Sequence, residues 1–157
     1  MTERKPTIVL LGIGNEFRGD DAAGLLIVRR FREIDLRGVP VIEETGDGAR
    51  LLDAWSGSDF VFVFDAVRSN AAPGTIHRLN VLETPPPPDW FIHSSHAFGL
   101  AEALELGRQM NRLPTEMIVY GISGRNFELG AAISEEVATA CDTVFSTARD
   151  EILKRLS

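Results

Sequence analysis

The stretch TIVLLGIGNEFRGDD, from Thr7 to Asp21, joins an apolar run to a loop that ends in two adjacent acids. The run Thr7–Leu11 predicts a buried strand, and the glycines and asparagine of Gly12–Asn15 favour a sharp turn after it. Asp20 and Asp21 then precede Ala22–Val28, which has the composition of a helix. Carboxylates that follow a strand in this way are well placed to hold a metal ion or to act in acid–base chemistry.

Strand-like and helix-like segments alternate along the rest of the chain. This alternation predicts an α/β fold with a mostly parallel sheet that is covered by helices on both faces, and one strand after a Pro-Gly turn is expected to lie antiparallel at an edge. The predicted strands are Thr7–Leu11, Val39–Glu44, Phe60–Asp65, Met117–Ile122 and, at the edge, Thr75–Leu79; the predicted helices are Asp21–Phe31, Ala49–Trp55, Leu100–Met110 and a last helix capped by Ser134.

Length and composition indicate a single domain over residues 1–157. The net charge of −7 argues against a nucleic-acid partner, because binding to phosphates needs a basic surface. No apolar run is long enough to cross a bilayer, the amino terminus has no apolar signal core, and Cys141 is the only cysteine. We therefore expect a cytoplasmic protein without a membrane partner, and a monomer.

A nucleotide-binding function is disfavoured. The motif Gly12-Ile13-Gly14 would need a third glycine where Phe17 stands, and Asp20 and Asp21 place negative charge where a pyrophosphate needs backbone amides. A phosphate-binding loop with Lys and Ser or Thr is also missing from the sequence.

Two further residues are candidates for chemistry, each with a structural alternative. Asp65 ends the most apolar strand, where a dry, unpaired acid is costly, so it either faces a cleft or a cation, or is a turn acid paired with Arg68. His96 precedes a predicted helix, where it is either functional, a helix cap or a solvated residue. His93 lies three residues earlier, but a loop His-x-x-His pair is a weak metal signal.

Other polar and aromatic residues are weaker candidates for a functional site. Cys141 and His77 are expected to be structural, whereas Phe17, Phe98 and Phe127 are candidates for a pocket rim. The three remaining acids that could contribute charge to a cleft are Glu16, Glu43 and Glu44.

Asp21, Asp65 and His96 are more informative together than singly. Each lies where a strand ends or a helix begins, and these junctions meet at one edge of a parallel sheet. Two carboxylates and one imidazole form a mixed oxygen and nitrogen donor set that suits nickel, zinc, manganese or iron, with a coordination position left open.

Three motifs together resemble those of the hydrogenase maturation proteases. They are Gly12-Ile13-Gly14-Asn15 with Gly19-Asp20-Asp21, Asp65-Ala66, and Ser95-His96 with Gly99-Leu100. The resemblance covers nearly the whole chain and departs from the family pattern at Ala22, where glycine is common, and at Glu43-Glu44-Thr45-Gly46, where an aspartate followed by glycines is usual.

The resemblance implies a three-layer α/β/α sandwich and a metal-contacting triad of Asp21, Asp65 and His96, with Asp21 or Asp65 also acting in catalysis. It implies an endopeptidase that removes the C-terminal peptide of a nickel–iron hydrogenase large-subunit precursor after nickel insertion. The nickel would be supplied by that substrate rather than held permanently. The alternative is a non-enzymatic, metal-dependent assembly chaperone that binds the same precursor.

Overall fold

A computed structural model of the chain describes residues 5–36, 38–91 and 99–157. Within them a five-stranded sheet is flanked by four α-helices. The strands are β1 Ile8–Ile13, β2 Val41–Glu44, β3 Phe60–Val67, β4 Ile76–Asn80 and β5 Glu116–Ser123. The helices are α1 Ala23–Glu33, α2 Gly48–Trp55, α3 Leu100–Gln109 and α4 Glu135–Leu156.

The strand order is β2-β1-β3-β5-β4. The first four strands run parallel, and β4 pairs antiparallel with β5 at the edge. The predicted α/β architecture with an antiparallel edge strand is therefore confirmed. Because β1, β2, β3 and β5 point the same way, the loops after them all leave from one edge of the sheet.

Apolar side chains of alternating register cover both faces of the sheet. Phe62 and Phe64 face one helical layer, α1 and α4, where the Phe31 ring lies 4.7 Å from that of Phe145. Val61 and Val63 face α2 and α3 on the other side. The sandwich thus has the three layers that were expected, and Cys141 is buried within the α4 side of the core, as predicted.

Glycines allow α1 to lie directly on the central strands. A Cβ atom added at Gly24 would lie 2.1 Å from the Phe64 carbonyl oxygen, and one added at Gly12 would lie 2.5 Å from the Gly24 carbonyl oxygen. Such distances are far inside van der Waals contact, so any side chain there would force the helix away. This close packing holds the start of α1 over the carboxyl edge of β1 and β3.

Several element boundaries differ from the prediction. The chain between β1 and α1 forms a short 3-10 helix, Gly19–Ala22, so Asp21 precedes the α-helix rather than starting it. β3 runs two residues beyond Asp65, because Ala66 and Val67 continue the pairing with β5. Pro40 lies just outside edge strand β2, and its carbonyl accepts a hydrogen bond from the Leu10 amide at 2.9 Å.

No helix among the described residues combines the length and apolar character needed to cross a membrane.

Candidate functional site

Asp21 lies in the 3-10 turn that is held against the end of β1. Its backbone amide donates to the Arg18 carbonyl at 3.0 Å, and its own carbonyl oxygen lies 2.0 Å from where a Cβ of Gly14 would stand. Only glycine at position 14 leaves room for this approach. Asp21 is 8% exposed, so it lies at the surface of a tightly packed junction rather than on a free loop.

Asp65 lies inside β3 and is 4% exposed. By strand alternation its side chain shares a face with Val61 and Val63 rather than with the phenylalanines. Burial, and after it the negative charge of Asp21, raises the pKa of Asp65 well above its ordinary value, while a backbone hydrogen bond from Ala66 works in the opposite direction.

The structure thus brings Asp21 close enough to Asp65 for its negative charge to raise the pKa of Asp65. Two carboxylates in one poorly hydrated place repel each other, and the repulsion is relieved when they share a proton or bind a cation. The arrangement can therefore hold a metal ion or exchange a proton. The alternative in which Asp65 is a turn acid is not supported, because Asp65 lies within β3 and pairs in register with Gly121 of β5.

Asp21 opens onto a cleft of about 450 Å³. The cleft is also lined by residues of the loops that follow β3 and β5, among them Phe127, one of the predicted rim aromatics. Arg68 lines this cleft as well, with Arg18 and Arg125.

Asp20 has a role that the sequence did not reveal. Its buried carboxylate accepts hydrogen bonds from the backbone amides of Arg125 at 2.6 Å, Asn126 at 3.1 Å and Ser134 at 2.7 Å. The Ser134 hydroxyl also donates to it at 2.9 Å. Asp20 therefore fastens the loop after β5 and the start of α4 to the 3-10 turn.

Ser134 is the N-cap residue of α4, as predicted, but its side chain does not cap the helix. The hydroxyl is directed to Asp20 instead. The sequence gives little indication of this contact, because nothing in it shows which of the two adjacent aspartates binds Ser134, 114 residues away.

The other acids near the edge form a separate cluster. The Arg29 guanidinium lies 2.8 Å from the Glu43 carboxylate and 3.2 Å from that of Glu16, and Glu44 pairs with Arg50 at 3.0 Å. Glu16, Glu43 and Glu44 line a neighbouring cavity of about 310 Å³, together with the exposed Phe17. They do not line the cleft that contains Asp21.

Of the three histidines, the structure describes only His77. His77 lies on β4, where its Nε2 is 2.8 Å from the Ser123 hydroxyl and its ring packs near Trp90, which fits a structural role. His93, His96 and Phe98 lie outside the described residues, so the place of His96 beside Asp21 and Asp65 stays a prediction. Within residues 5–36, 38–91 and 99–157, no three His, Cys, Asp or Glu side chains are grouped as metal ligands.

Comparison with known proteins is decisive for the family. A family model described as "HycI: Hydrogenase maturation protease" matches residues 26–151. The chain belongs to the hydrogenase maturation protease family. It is accordingly an enzyme, a hydrolase of the endopeptidase type that acts in hydrogenase maturation.

Relatives match over nearly the full chain. A putative hydrogenase maturation protease of Methanocaldococcus jannaschii is 30% identical, with 96% of this chain and 99% of the relative covered. The hydrogenase 2 maturation protease of Escherichia coli is 28% identical, with 91% of each covered.

Solved structures show the same fold. The hydrogenase maturating endopeptidase HybD of E. coli superposes with a TM-score of 0.81 at 22% identity, over 94% of this chain and 93% of that one. The [NiFe] hydrogenase maturation protease HybD of Thermococcus kodakarensis gives a TM-score of 0.71 at 26% identity, over 92% and 97%.

Proposed function

We propose that this endopeptidase removes the C-terminal peptide of a nickel–iron hydrogenase large-subunit precursor after nickel has been inserted. In this proposal the nickel ion of the substrate is the recognition signal, and Asp21, Asp65 and His96 contact it. The observation that carries the proposal is Asp21 on the lining of an open cleft with the buried Asp65 carboxylate near it, in a chain of this family.

The chemistry of the donor set fits a nickel ion that arrives with the substrate. Burial beside Asp21 makes the charged form of Asp65 unfavourable until a cation is present. The electrostatic stabilisation of the two carboxylates is therefore greatest when a metal-loaded precursor binds. Two carboxylates and an imidazole suit nickel and leave coordination positions for ligands from the precursor. A precursor without the metal would leave the repulsion in place, which gives a basis for discrimination.

The same carboxylates can carry the proton transfers of peptide hydrolysis. Hydrolysis adds water across the scissile bond, so the water must lose a proton and the leaving amine must gain one. Asp21 or Asp65 can accept that proton as a general base and return it as a general acid. For Asp65, the raised pKa brings its carboxyl group nearer to neutral pH. We therefore propose an aspartate-dependent reaction in which the substrate metal positions and polarises the scissile carbonyl.

The setting of the reaction follows from the same proposal. We propose that the enzyme works as a monomer in the cytoplasm, where the precursor is assembled, and needs neither a membrane nor a nucleic acid. The acidic composition of the chain supports the last point.

The test is incubation of the purified protein with the large-subunit precursor, prepared with and without nickel, followed by mass spectrometry. We expect loss of a C-terminal peptide from the nickel-loaded precursor alone, and no loss with His96→Ala although that variant keeps its circular dichroism spectrum. Equal cleavage of both precursors would contradict recognition of nickel. Stable binding without peptide release would favour the assembly chaperone instead.

A further inference from the structure

Three arginines reach the Asp21 cleft from three different loops. Arg18 follows β1, Arg68 follows β3 directly, and Arg125 follows β5. Because these strands are parallel, their following loops meet at one edge, and each loop delivers one guanidinium to the same opening. Positions so far apart in sequence are gathered there by the fold rather than by a local run of basic residues.

The backbones that carry these arginines are anchored. The Arg125 amide donates to the buried Asp20 carboxylate at 2.6 Å, and the Arg68 amide donates to the Trp90 carbonyl at 2.9 Å. Arg18 is held through its carbonyl, which accepts from the Asp21 amide at 3.0 Å. The three side chains therefore project from fixed points around the cleft.

Their ion pairing sets them apart from the other arginines. Every other arginine in the described part of the chain pairs with a carboxylate, as on α1, α3 and α4. For Arg18 and Arg68 the described residues contain no carboxylate at ion-pair distance. Among the same residues, the one carboxylate near Arg125 is that of Glu136, at a long distance of 3.8 Å, and both side chains are exposed by about half or more.

The cleft lining contains these three arginines and two carboxylates, Asp21 and Glu128, so positive charge is in excess there although the chain has a net charge of −7. Such charge at the rim of a cleft attracts an anion, and the planar fork of a guanidinium matches the two oxygens of a carboxylate. Arg29, by contrast, forms ion pairs with Glu16 and Glu43 in the neighbouring cavity. The distribution thus favours the Asp21 cleft, and not its neighbour, as the place that receives an anionic group.

We propose that Arg18, Arg68 and Arg125 form a carboxylate-binding rim that orients the substrate polypeptide in the Asp21 cleft. The ligand is a carboxylate of the segment that enters the cleft, either an Asp or Glu side chain or the terminal carboxylate of the chain. This inference rests on the proposed function for its substrate, and it makes the arginines positioning residues that act on binding rather than on bond cleavage.

The first test measures peptide binding and does not require cleavage. Three fluorescein-labelled Gly/Ser peptides are compared by fluorescence anisotropy at low salt: one with aspartates and an amidated end, one without aspartates and with a free terminal carboxylate, and one with neither. We expect the wild-type protein to bind one of the carboxylate peptides about tenfold more tightly than the neutral peptide. The peptide that binds identifies which carboxylate is recognised.

Two variants localise the effect. The double variant Arg18→Gln/Arg68→Gln should lower the affinity for that peptide about tenfold. The matched control is Arg108→Gln, which removes an exposed arginine of α3 that pairs with Glu105 and should leave the affinity unchanged. Thermal unfolding checks that both variants remain folded.

The second test uses processing of the nickel-loaded precursor. The double variant should raise KM about fivefold or more while kcat stays within about twofold, because a contact made equally in the ground and transition states changes binding alone. Equal binding of all three peptides, or an unchanged KM, would overturn the carboxylate-binding rim. Selective peptide binding by a wild-type protein that cleaves no precursor would instead overturn the proposed function and leave the rim supported.

Discussion

Asp20 and Asp21 are adjacent and chemically identical, yet they belong to two different regions of the molecule. Asp20 is fully buried and is surrounded by hydrogen-bond donors from the loop after β5 and the start of α4. Asp21 lies on an open cleft and places its charge near a second carboxylate, Asp65. The Asp20 carboxylate is thus stabilised by hydrogen-bond donors from the protein, whereas the Asp21 carboxylate lies near another acid.

The geometry of the 3-10 turn explains the separation. With about three residues per turn, successive side chains leave the axis roughly 120° apart, so neighbours cannot face the same surroundings. An adjacent pair of acids can thus provide one structural clasp and one reactive group. The comparison teaches that the acid proposed to be reactive is distinguished by a second carboxylate near it and not by burial alone, since Asp20 is the more buried of the two.

The largest expected effect is on catalysis. Asp21→Asn should reduce processing of the nickel-loaded precursor by a factor of about 10³ or more, because it removes a charged group proposed to contact the substrate metal. The midpoint of urea unfolding should stay the same or rise slightly, since repulsion with Asp65 is relieved. Single-turnover kinetics measures the processing rate, and a urea titration measures the unfolding midpoint. Processing at a tenth of the wild-type rate or better would remove Asp21 from the mechanism.

Asp20→Asn should show the opposite pattern. An amide offers one acceptor oxygen and turns an NH2 group towards the donor amides of Asn126 or Ser134, which leaves buried donors unsatisfied. The free energy of unfolding should fall by about 3 kcal/mol. Processing per folded molecule should decline far less than in Asp21→Asn. If Asp20→Asn were as stable as the wild type and inactive, the assignment of the two acids would be reversed.

Ser134→Ala probes the same clasp with a smaller change. The variant loses the hydroxyl that donates to Asp20 but keeps the backbone amide that donates at 2.7 Å. We expect a loss of about 1–1.5 kcal/mol in the free energy of unfolding and no change in kcat. Thermal and urea unfolding measure it, with Thr143→Ala on the exposed part of α4 as the control. An unchanged stability would show that the backbone donors alone satisfy Asp20.

The smallest effect is expected from Glu16, an exposed acid that lines the neighbouring cavity. Glu16→Gln breaks one exposed contact with Arg29, which keeps its contact with Glu43. Exposed ion pairs contribute little, so stability should change by less than about 0.5 kcal/mol and processing by less than about twofold. A large loss of processing in the assay used for Asp21→Asn would mean that the cavity beside Glu43 also takes part in the reaction.

The elements that the sequence predicted well are those with a strong local signal. β3 and β5 each contain a run of β-branched and aromatic residues, Phe60–Phe64 and Ile118–Tyr120, and such runs favour strands buried on both faces. The end of β3 was placed two residues short, because Asp65 interrupts the apolar run although pairing with β5 continues past it. The extension depends on β5, which lies some fifty residues away in sequence and leaves no mark on Asp65 itself.

The sequence did not separate the roles of the individual acids. Glu16, Glu43 and Glu44 were open candidates for the cleft until the structure showed their pairing with Arg29 and Arg50. Asp20 was inseparable from Asp21 in sequence, because its partners come from the β5–α4 connection. These assignments depend on contacts across more than a hundred residues in one case, and residue type does not encode such contacts.

The sequence by itself determined the alternation of strands and helices, the glycine turn after β1 and the family of the chain, because local periodicity and short motifs carry that information. The tertiary structure decided which aspartate is clasped, which one meets Asp65, and which arginines are left without a described carboxylate partner. These outcomes depend on burial and on electrostatic interaction between distant segments, and both arise only when the parallel strands bring their following loops to one edge.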